Sequence, residues 1–230
     1  LIYMLILDEN NYVAKGHHRY LFIVDDFPGK CLKVASTKRL KELKKEVKVW
    51  YKKIRPISYF DDNIKDLKGY KTINKKSVSE EIYKYIPHCY GVIKTNIGLG
   101  ILVDYIDNAI ELYDYLKKYG FTTQVKEELE KLFSILYDNN VQVRDLNLHN
   151  FMVKTTDENK VSIKLIDGIS NAQLIPLADW IPILGKIQFR RRFGYFIRNI
   201  CIDFPNLSNE AVKFKEHMLN NILCTPFPIF

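Results

Sequence analysis

The feature that most constrains the fold is a change of hydrophobic period near the middle of the chain. In the first half, apolar residues gather in short β-forming runs divided by turn chemistry. Residues 20–24 and 31–35 are two such runs separated by Asp25, Asp26, Pro28 and Gly29, which predicts a β-hairpin. Residues 89–93 and 101–103 form a second pair, joined across Thr95, Asn96, Gly98 and Gly100. Between the pairs, Leu40, Leu43, Val47, Trp50 and Ile54 recur at three and four, which predicts one lysine-rich amphipathic helix directly after the second strand. After Asn108 the pattern turns helical. Val125, Leu129, Leu132 and Leu136 predict a helix over 122–138, capped by Thr122 or Thr123 and stopped by Asn139 and Asn140. Residues 151–153 and 161–166, divided by a polar stretch, read as one further hairpin. The expected class is α+β, with a β-rich unit over residues 1–106 and a mainly helical one over 107–230.

Composition supports a folded chain. At 230 residues, 47% hydrophobic and 27% charged, it has core for one or two compact units and is not disordered. The net charge of +8 favours an acidic partner such as nucleotide, nucleic acid or anionic lipid. Much of the surplus, however, lies over residues 38–55, where it reads as the wet face of the predicted helix, so nucleic acid is not indicated. Arg190, Arg191 and Arg192, between Phe189 and Phe193, likewise read as a solvated helix face rather than a membrane or nucleic-acid patch. The cysteines at 31, 89, 201 and 224 form no C-x-x-C pair, which fits reduced thiols and a cytoplasmic protein. The apolar opening, residues 1–7, meets Asp8 and Glu9 at once, too short for a signal sequence or a membrane span. The chain opens on Leu1 rather than Met, which leaves its natural start open. Residues 55–85 are mixed and polar, with a short helix expected after Ser79, and read as an insertion without assigned chemistry.

The chemistry is concentrated in a few residues. In Val143-Arg144-Asp145-Leu146-Asn147-Leu148-His149-Asn150 an Asn follows an Asp by five positions, and Asp167-Gly168 comes seventeen residues after that Asn. This is the spacing of a kinase catalytic loop and its metal-binding Asp. Phosphoryl transfer needs an acceptor for the attacking hydroxyl's proton, which suits Asp145, and oxygen ligands for magnesium, which suits Asn150 and Asp167. Asp and Asn are also ordinary turn formers and caps. What favours chemistry here is the setting, a loop between a long amphipathic helix and a hairpin whose far strand ends on Asp167. Lys33 lies among apolar neighbours in its strand, either as an alternating edge-strand residue or as the kinase lysine that grips the α- and β-phosphates. A glutamate on the following helix would steady it; Glu46 borders the apolar stripe and is favoured over Glu42. The phosphate-covering loop falls at residues 13–19, where Gly16 is the lone glycine and Lys15 or Arg19 lends charge. His17 and His18 have no further ligands at metal spacing, so zinc is not expected there.

Together these segments resemble the PhoP regulatory network protein YrbL family of bacterial kinase-like proteins, over about residues 16–193. The motifs that carry the resemblance are Gly16-His17-His18-Arg19, Cys31-Leu32-Lys33-Val34, Ile86-Pro87 leading to Tyr90-Gly91, and Leu174-Ile175-Pro176-Leu177-Ala178-Asp179-Trp180. The resemblance implies a two-lobed protein-kinase-like fold in a bacterial protein of a magnesium and envelope-stress regulon. It places Val103 as gatekeeper and the backbone of Asp104, Tyr105 and Ile106 against adenine. The chain departs from the family in residues 55–85, and from protein kinases in Asn147, where those enzymes carry Lys. It has no Ala-Pro-Glu motif, and little length for holding a peptide lies between Asp167 and Trp180.

The function so implied is an ATP- and magnesium-dependent phosphotransferase acting on an unidentified hydroxyl, on a small molecule, an envelope glycolipid or a protein. The alternative is a nucleotide-binding pseudokinase that works through a protein partner. The missing glycines and Asn147 favour the second; the joint presence of Lys33, Asp145, Asn150 and Asp167 favours the first.

Overall fold

The structure, a computed structural model, describes residues 4–8, 12–16, 19–76, 78, 80–156, 160–171 and 177–224. It forms two compact units. One comprises the chain up to Tyr70 together with Pro87–Ile106; the other comprises Lys71–Ile86 and the chain from Asp107 onward. The second unit therefore takes part of residues 55–85 as well as the C-terminal half.

The first unit is built on an antiparallel sheet of β1 (Ala14–Lys15), β2 (Arg19–Ile23), β3 (Lys30–Ser36), β4 (Cys89–Lys94) and β5 (Gly98–Asp104), in the order β1-β2-β3-β5-β4. Both predicted hairpins are present. β3 is the central strand, paired on both sides, so Cys31, Leu32, Val34 and Ala35 are all buried and Lys33 is not an edge-strand residue. Side chains alternate between faces. Leu32 and Val34 pack with Phe22, Leu102 and Ile97 on one face, and Leu5 and Leu7 of the opening segment close over them. That segment is held by backbone: Leu5 N–H donates to Lys94 O at 2.9 Å, and the Asn96 side chain exchanges bonds with Leu7 N–H and C=O. Gly98 permits the close approach of β5, since a Cβ there would stand 2.1 Å from Ala35 O.

On the other face Cys31, Ile101 and Val103 pack with Leu21, Cys89 and Leu67. The helix after β3 differs from expectation. It ends early, as α1 (Thr37–Glu46), and a separate turn α2 (Trp50–Lys53) follows an extended Val47. The β-branched Val47 and Val49 sit at the break. Of the predicted apolar stripe only Leu40 is buried, and Trp50 and Ile54 are 74% and 75% exposed. The helix that covers the sheet is α3 (Asp62–Lys75), inside the stretch expected to be an insertion. Its inward positions include Asn63 and Asp66 beside Leu67 and Tyr70, so its buried side is half polar.

Those polar groups pair with one another. Asn63 Nδ2 donates to Lys33 O and Leu99 O, both at 2.8 Å, and so ties α3 to β3 and β5. Asn63 N–H donates to Asp61 Oδ1 at 2.8 Å. Arg19 Nη1 donates to Asn63 Oδ1 at 3.1 Å and to Asp66 Oδ2 at 2.7 Å, with the Arg19 and Asp66 side chains only 10% and 4% exposed. Arg19 is thus a buried anchor of α3 rather than a charge lent to a loop.

In the second unit β6 (Ala109–Glu111), β7 (Phe151–Thr155) and β8 (Val161–Leu165) form an antiparallel sheet in that order. The helices are α4 (Leu112–Tyr119), α5 (Thr123–Asp138), α6 (Leu177–Trp180), α7 (Pro182–Asp203) and α8 (Ser208–Asn221). α5 matches its prediction: Thr122 Oγ1 caps it by accepting from Val125 N–H, and Val125, Leu129, Leu132 and Leu136 are buried. Phe133 of α5 lies 5.2 Å from the rings of both Phe193 and Phe196, 6.2 Å from Phe189 and 6.0 Å from Phe151, which locks α5, α7 and β7 together. Residues 71–86 join this unit through Leu165 N–H to Tyr85 O and Lys164 Nζ to Tyr83 O.

Two measurements follow from the first unit. Arg19→Met removes the cation from a buried carboxylate and should cost about 3–5 kcal/mol in urea unfolding, whereas Arg39→Met, which breaks exposed pairs with Glu42 and Glu46, should cost little. Equal losses would show that the Arg19 network is not what holds α3. The second concerns Asp104. Burial raises its carboxyl, but bonds from His88 N–H, the Tyr90 hydroxyl and the His88 ring outweigh burial and leave it below its ordinary 3.8. Its ionised form therefore favours folding above that value, and the benefit disappears as pH falls through the lower folded value. The melting temperature of Asp104→Asn should fall less steeply with acid below about pH 4 than that of the parent chain; parallel acid limbs would remove Asp104 from the account.

Candidate active site

The loop after α5 is stitched to the segment after β8. Val143 and Ile169 form an antiparallel bridge, and Arg144 N–H donates to Gly168 O at 2.7 Å. The Arg144 guanidinium donates to Ser170 Oγ at 2.9 Å and to Asp167 Oδ1 at 3.4 Å, and Gly168 N–H donates to the same Asp167 oxygen at 2.6 Å. Gly168 has φ +80°, and a Cβ there would stand 3.0 Å from Asp145 O. Both facts call for glycine, and the close approach sets Asp167 beside the backbone of Asp145.

Asn150 completes the group. Its backbone C=O accepts from Ile166 N–H at 2.8 Å, and its side-chain Nδ2 donates to Asp145 O at 3.2 Å and Asp145 Oδ2 at 3.3 Å. With the nitrogen turned onto Asp145, no described group donates to Asn150 Oδ1. The structure thus brings Asp145, Asn150 and Asp167 together around one loop. Asn147 acts as a cap, its Oδ1 accepting from His149 N–H at 3.1 Å at the start of the turn Leu148–Asn150.

Arg192 was misread in the sequence as part of a solvated face. It is three residues after buried Phe189 and four before buried Phe196, so it falls on the inward side of α7, and that spacing was the available signal. Its Nη1 donates to Val143 O. Burial lowers its pKa to about 10, against the pull of Asp145 and Asp179, and it remains a cation at neutral pH. Asp179, raised chiefly by burial, is countered by Lys76, Asn171 and Arg192. The described part of the 174–180 motif, Leu177–Trp180, accepts from Asn140 Nδ2 at Ala178 O; residues 174–176 lie outside the described residues.

In the first unit Lys33 sits half-buried on the face that α3 covers. Burial pushes the Cys31 thiol up to about 11, opposed by Lys33, and burial also raises Cys89, where Asp66 adds to the effect and Lys33 opposes it. Lys33 and Asp66 therefore act on one neighbourhood. Glu46 does not share it: it ends α1, exposed, with its carboxylate 3.0 Å from Arg39 Nη1. The helix that directly follows β3 runs into solvent, and the one lying over Lys33's face is α3, whose inward acid is Asp66.

Gly16 N–H donates to Arg19 O at 2.8 Å and closes the β1–β2 hairpin, while Lys15 Nζ lies 5.4 Å from the Tyr20 ring centroid. A Cβ at Gly16 would make only an ordinary contact, so nothing described requires glycine. His17 and His18 lie outside the described residues. After the buried Val103, Asp104 N–H donates to His88 O and Tyr105 N–H to Gly29 O, while Asp104 O accepts from the Cys31 thiol. No described group accepts from Ile106 N–H. Among the described residues no three His, Cys, Asp or Glu side chains gather as a metal site; the side-chain oxygens collected at the loop are those of Asp145, Asn150 and Asp167.

Two curated relatives, each titled "Uncharacterized protein YrbL", from Escherichia coli K12 and Shigella flexneri, are 23% identical over 188 residues, spanning 77% of this chain and 79% of theirs. Among solved structures, a doubly substituted Mycobacterium tuberculosis PknI kinase domain is similar at TM-score 0.48 and 14% identity, covering 91% of this chain and 85% of that one. The BubR1 kinase domain is similar at TM-score 0.47 and 15% identity, covering 72% of this chain and about half, 47%, of that one. The fold is kinase-like α+β by its own element order: a five-stranded antiparallel sheet with α3 on one face, then a helix-rich unit presenting an Asp-Asn-Asp loop group. The family described as "PhoP regulatory network protein YrbL" matches residues 5–201, and the chain belongs to that family.

Proposed function

We propose that the protein is an ATP- and magnesium-dependent phosphotransferase acting on a hydroxyl-bearing acceptor. The observation that carries this reading is the loop group itself: Asp145, Asn150 and Asp167 are collected by the Gly168 approach, and the Asn150 amide is turned so that its oxygen is available. A carboxylate with a neutral amide oxygen is the donor chemistry that magnesium on phosphates takes, so the residues present fit the ion. Bound ATP would supply the phosphoryl group, and magnesium the positive charge that holds it.

The residues divide the remaining work. Asp167 and Asn150 would hold the metal. Asp145 accepts the proton of the attacking hydroxyl, while the bond from the γ-phosphorus to the bridging oxygen breaks and ADP leaves. Lys33 binds phosphate, with Asp66 in place of Glu46 as the acid that orients it. Ile106 N–H is the hinge donor left for adenine, since Tyr105 N–H is engaged by Gly29 O. Gly16 lies in the hairpin that covers the phosphates. The acceptor is a small molecule, an envelope glycolipid or a protein hydroxyl, and the reduced cysteines suit a cytoplasmic setting.

A second reading, a nucleotide-binding pseudokinase, draws on two observations. Asn147 caps a turn where kinases carry a cation, and no described residue imposes a steric need for glycine at Gly16. Labelled ATP and three substitutions separate the readings. ATP with magnesium should raise the melting temperature, and EDTA should remove the shift. Lys33→Met should weaken ATP binding about tenfold or more in a folded protein. Asp167→Asn should weaken magnesium-dependent binding and transfer together, whereas Asp145→Asn should spare binding and lower transfer by roughly a hundredfold or more. An unmoved melting curve sinks nucleotide binding altogether. Transfer that survives Asp145→Asn intact, with binding lost in Asp167→Asn, makes the pseudokinase the better account.

A further inference from the structure

The first turns of α7 and the short α6 before it carry an apolar surface that the rest of the unit leaves open. Trp180 is 67% exposed, and Ile181, Ile183, Leu184 and Ile187 are exposed beside it. The inward side of the same helix is already filled by Phe189, Phe193, Phe196, Ile197 and Ile200. Consecutive large apolar residues left in water mark a contact surface rather than scattered exposure.

The outward row continues along the helix with a different chemistry. From Ile183 and Ile187, steps of three and four lead to Arg191, Tyr195, Arg198 and Ile202, all exposed. The Arg191 guanidinium lies over the Tyr195 ring at 5.7 Å, and its Nη2 donates to the Tyr195 hydroxyl at 3.3 Å. Lys186 and Arg190 flank the row, and α7 carries no acid before Asp203. The helix is 22 residues long, about 33 Å at 1.5 Å per residue. One face thus joins branched aliphatics, Trp180 and Tyr195 with the exposed cations Arg191 and Arg198, and α7 brings no carboxylate to it before Asp203 at its end.

We propose that this face of α6 and α7 docks on an anionic lipid bilayer, with Trp180, Ile183, Leu184 and Ile187 entering the headgroup boundary and Arg191 and Arg198 pairing with lipid phosphates. A helix of this pattern lies in the interface plane, Trp and Tyr favour that depth, and Arg matches phosphate oxygens. Among the described residues no helix is long and apolar enough to cross a membrane; the proposed attachment runs along the surface. A second copy of the chain fits the face poorly, because a two-fold contact would set the Arg191 and Arg198 row of one copy against that of the other, with Asp203 at the helix end as the one acid of α7. The inference stands apart from the nucleotide reading and does not need catalysis.

The test is sedimentation with vesicles of phosphatidylcholine alone and of phosphatidylcholine with about one-third phosphatidylglycerol. The parent chain should bind the anionic vesicles at least about tenfold more tightly than the neutral ones, and less so as salt is raised. Ile183→Asp with Ile187→Asp, and separately Arg191→Glu with Arg198→Glu, alter exposed positions and should each lower binding at least about tenfold with the melting temperature preserved. The chain has two tryptophans, Trp50 and Trp180. In Trp50→Phe the emission of Trp180 should therefore shift to the blue on anionic vesicles, a readout independent of any α7 substitution. The proposal is overturned if the parent chain ignores anionic vesicles, or if it binds them with Trp180 emission unchanged. It is equally overturned if poly-glutamate or self-association, rather than lipid, is what the two double variants abolish.

Discussion

The Arg19 to Asp66 pair, with Asn63 between α3 and the sheet, is the interaction on which the first unit depends. Taking both charges out of water is expensive, and the cost is met by geometry that leaves the network's oxygens and protons engaged. Asn63 is central because one amide reaches two strands at once, through Lys33 O and Leu99 O. The same bonds fix the backbone of Lys33 and the rotation of α3, so one network places both Lys33 and Asp66.

In the second unit, position comes from backbone proximity. Gly168 lets two stretches of chain approach to a distance that a side chain would forbid, and the Val143 to Ile169 bridge keeps them aligned. Arg144 then reaches forward to Asp167 and Ser170, while Arg192 reaches from α7 to Val143 O. The loop is thereby held from the chain before β7, from the chain after β8 and from a helix anchored in the Phe133 cluster. A small group of oxygens on a loop gains the rigidity of the core beneath it.

Much of this was legible in the residues. The two hairpins and α5 were marked by apolar period and turn chemistry, and the Asp145, Asn150 and Asp167 group by its spacing along the chain; all are local signals. What escaped depends on distant partners. α3 was read as an insertion because half of its buried side is polar, and Asn63 and Asp66 make sense only beside Arg19, forty-four and forty-seven residues away. Glu46 was favoured because it borders the predicted apolar stripe between Leu43 and Trp50, yet the helix ends early at β-branched residues and leaves that stripe and Glu46 in solvent. Arg192 was hidden in a run of three arginines, although its spacing from Phe189 and Phe196 pointed inward.

The opening segment carries a consequence in time. Leu5 and Leu7 cover one face of the sheet, but Leu7 is held by Asn96, eighty-nine residues later. During synthesis that face stays bare while the chain between is made, on the order of ten seconds at usual ribosomal speed. Phe22, Leu32 and Val34 emerge within that interval without their lid. The Leu7 bonds to Asn96 therefore cannot form until Asn96 has been made, and a chaperone could cover the bare face in that interval.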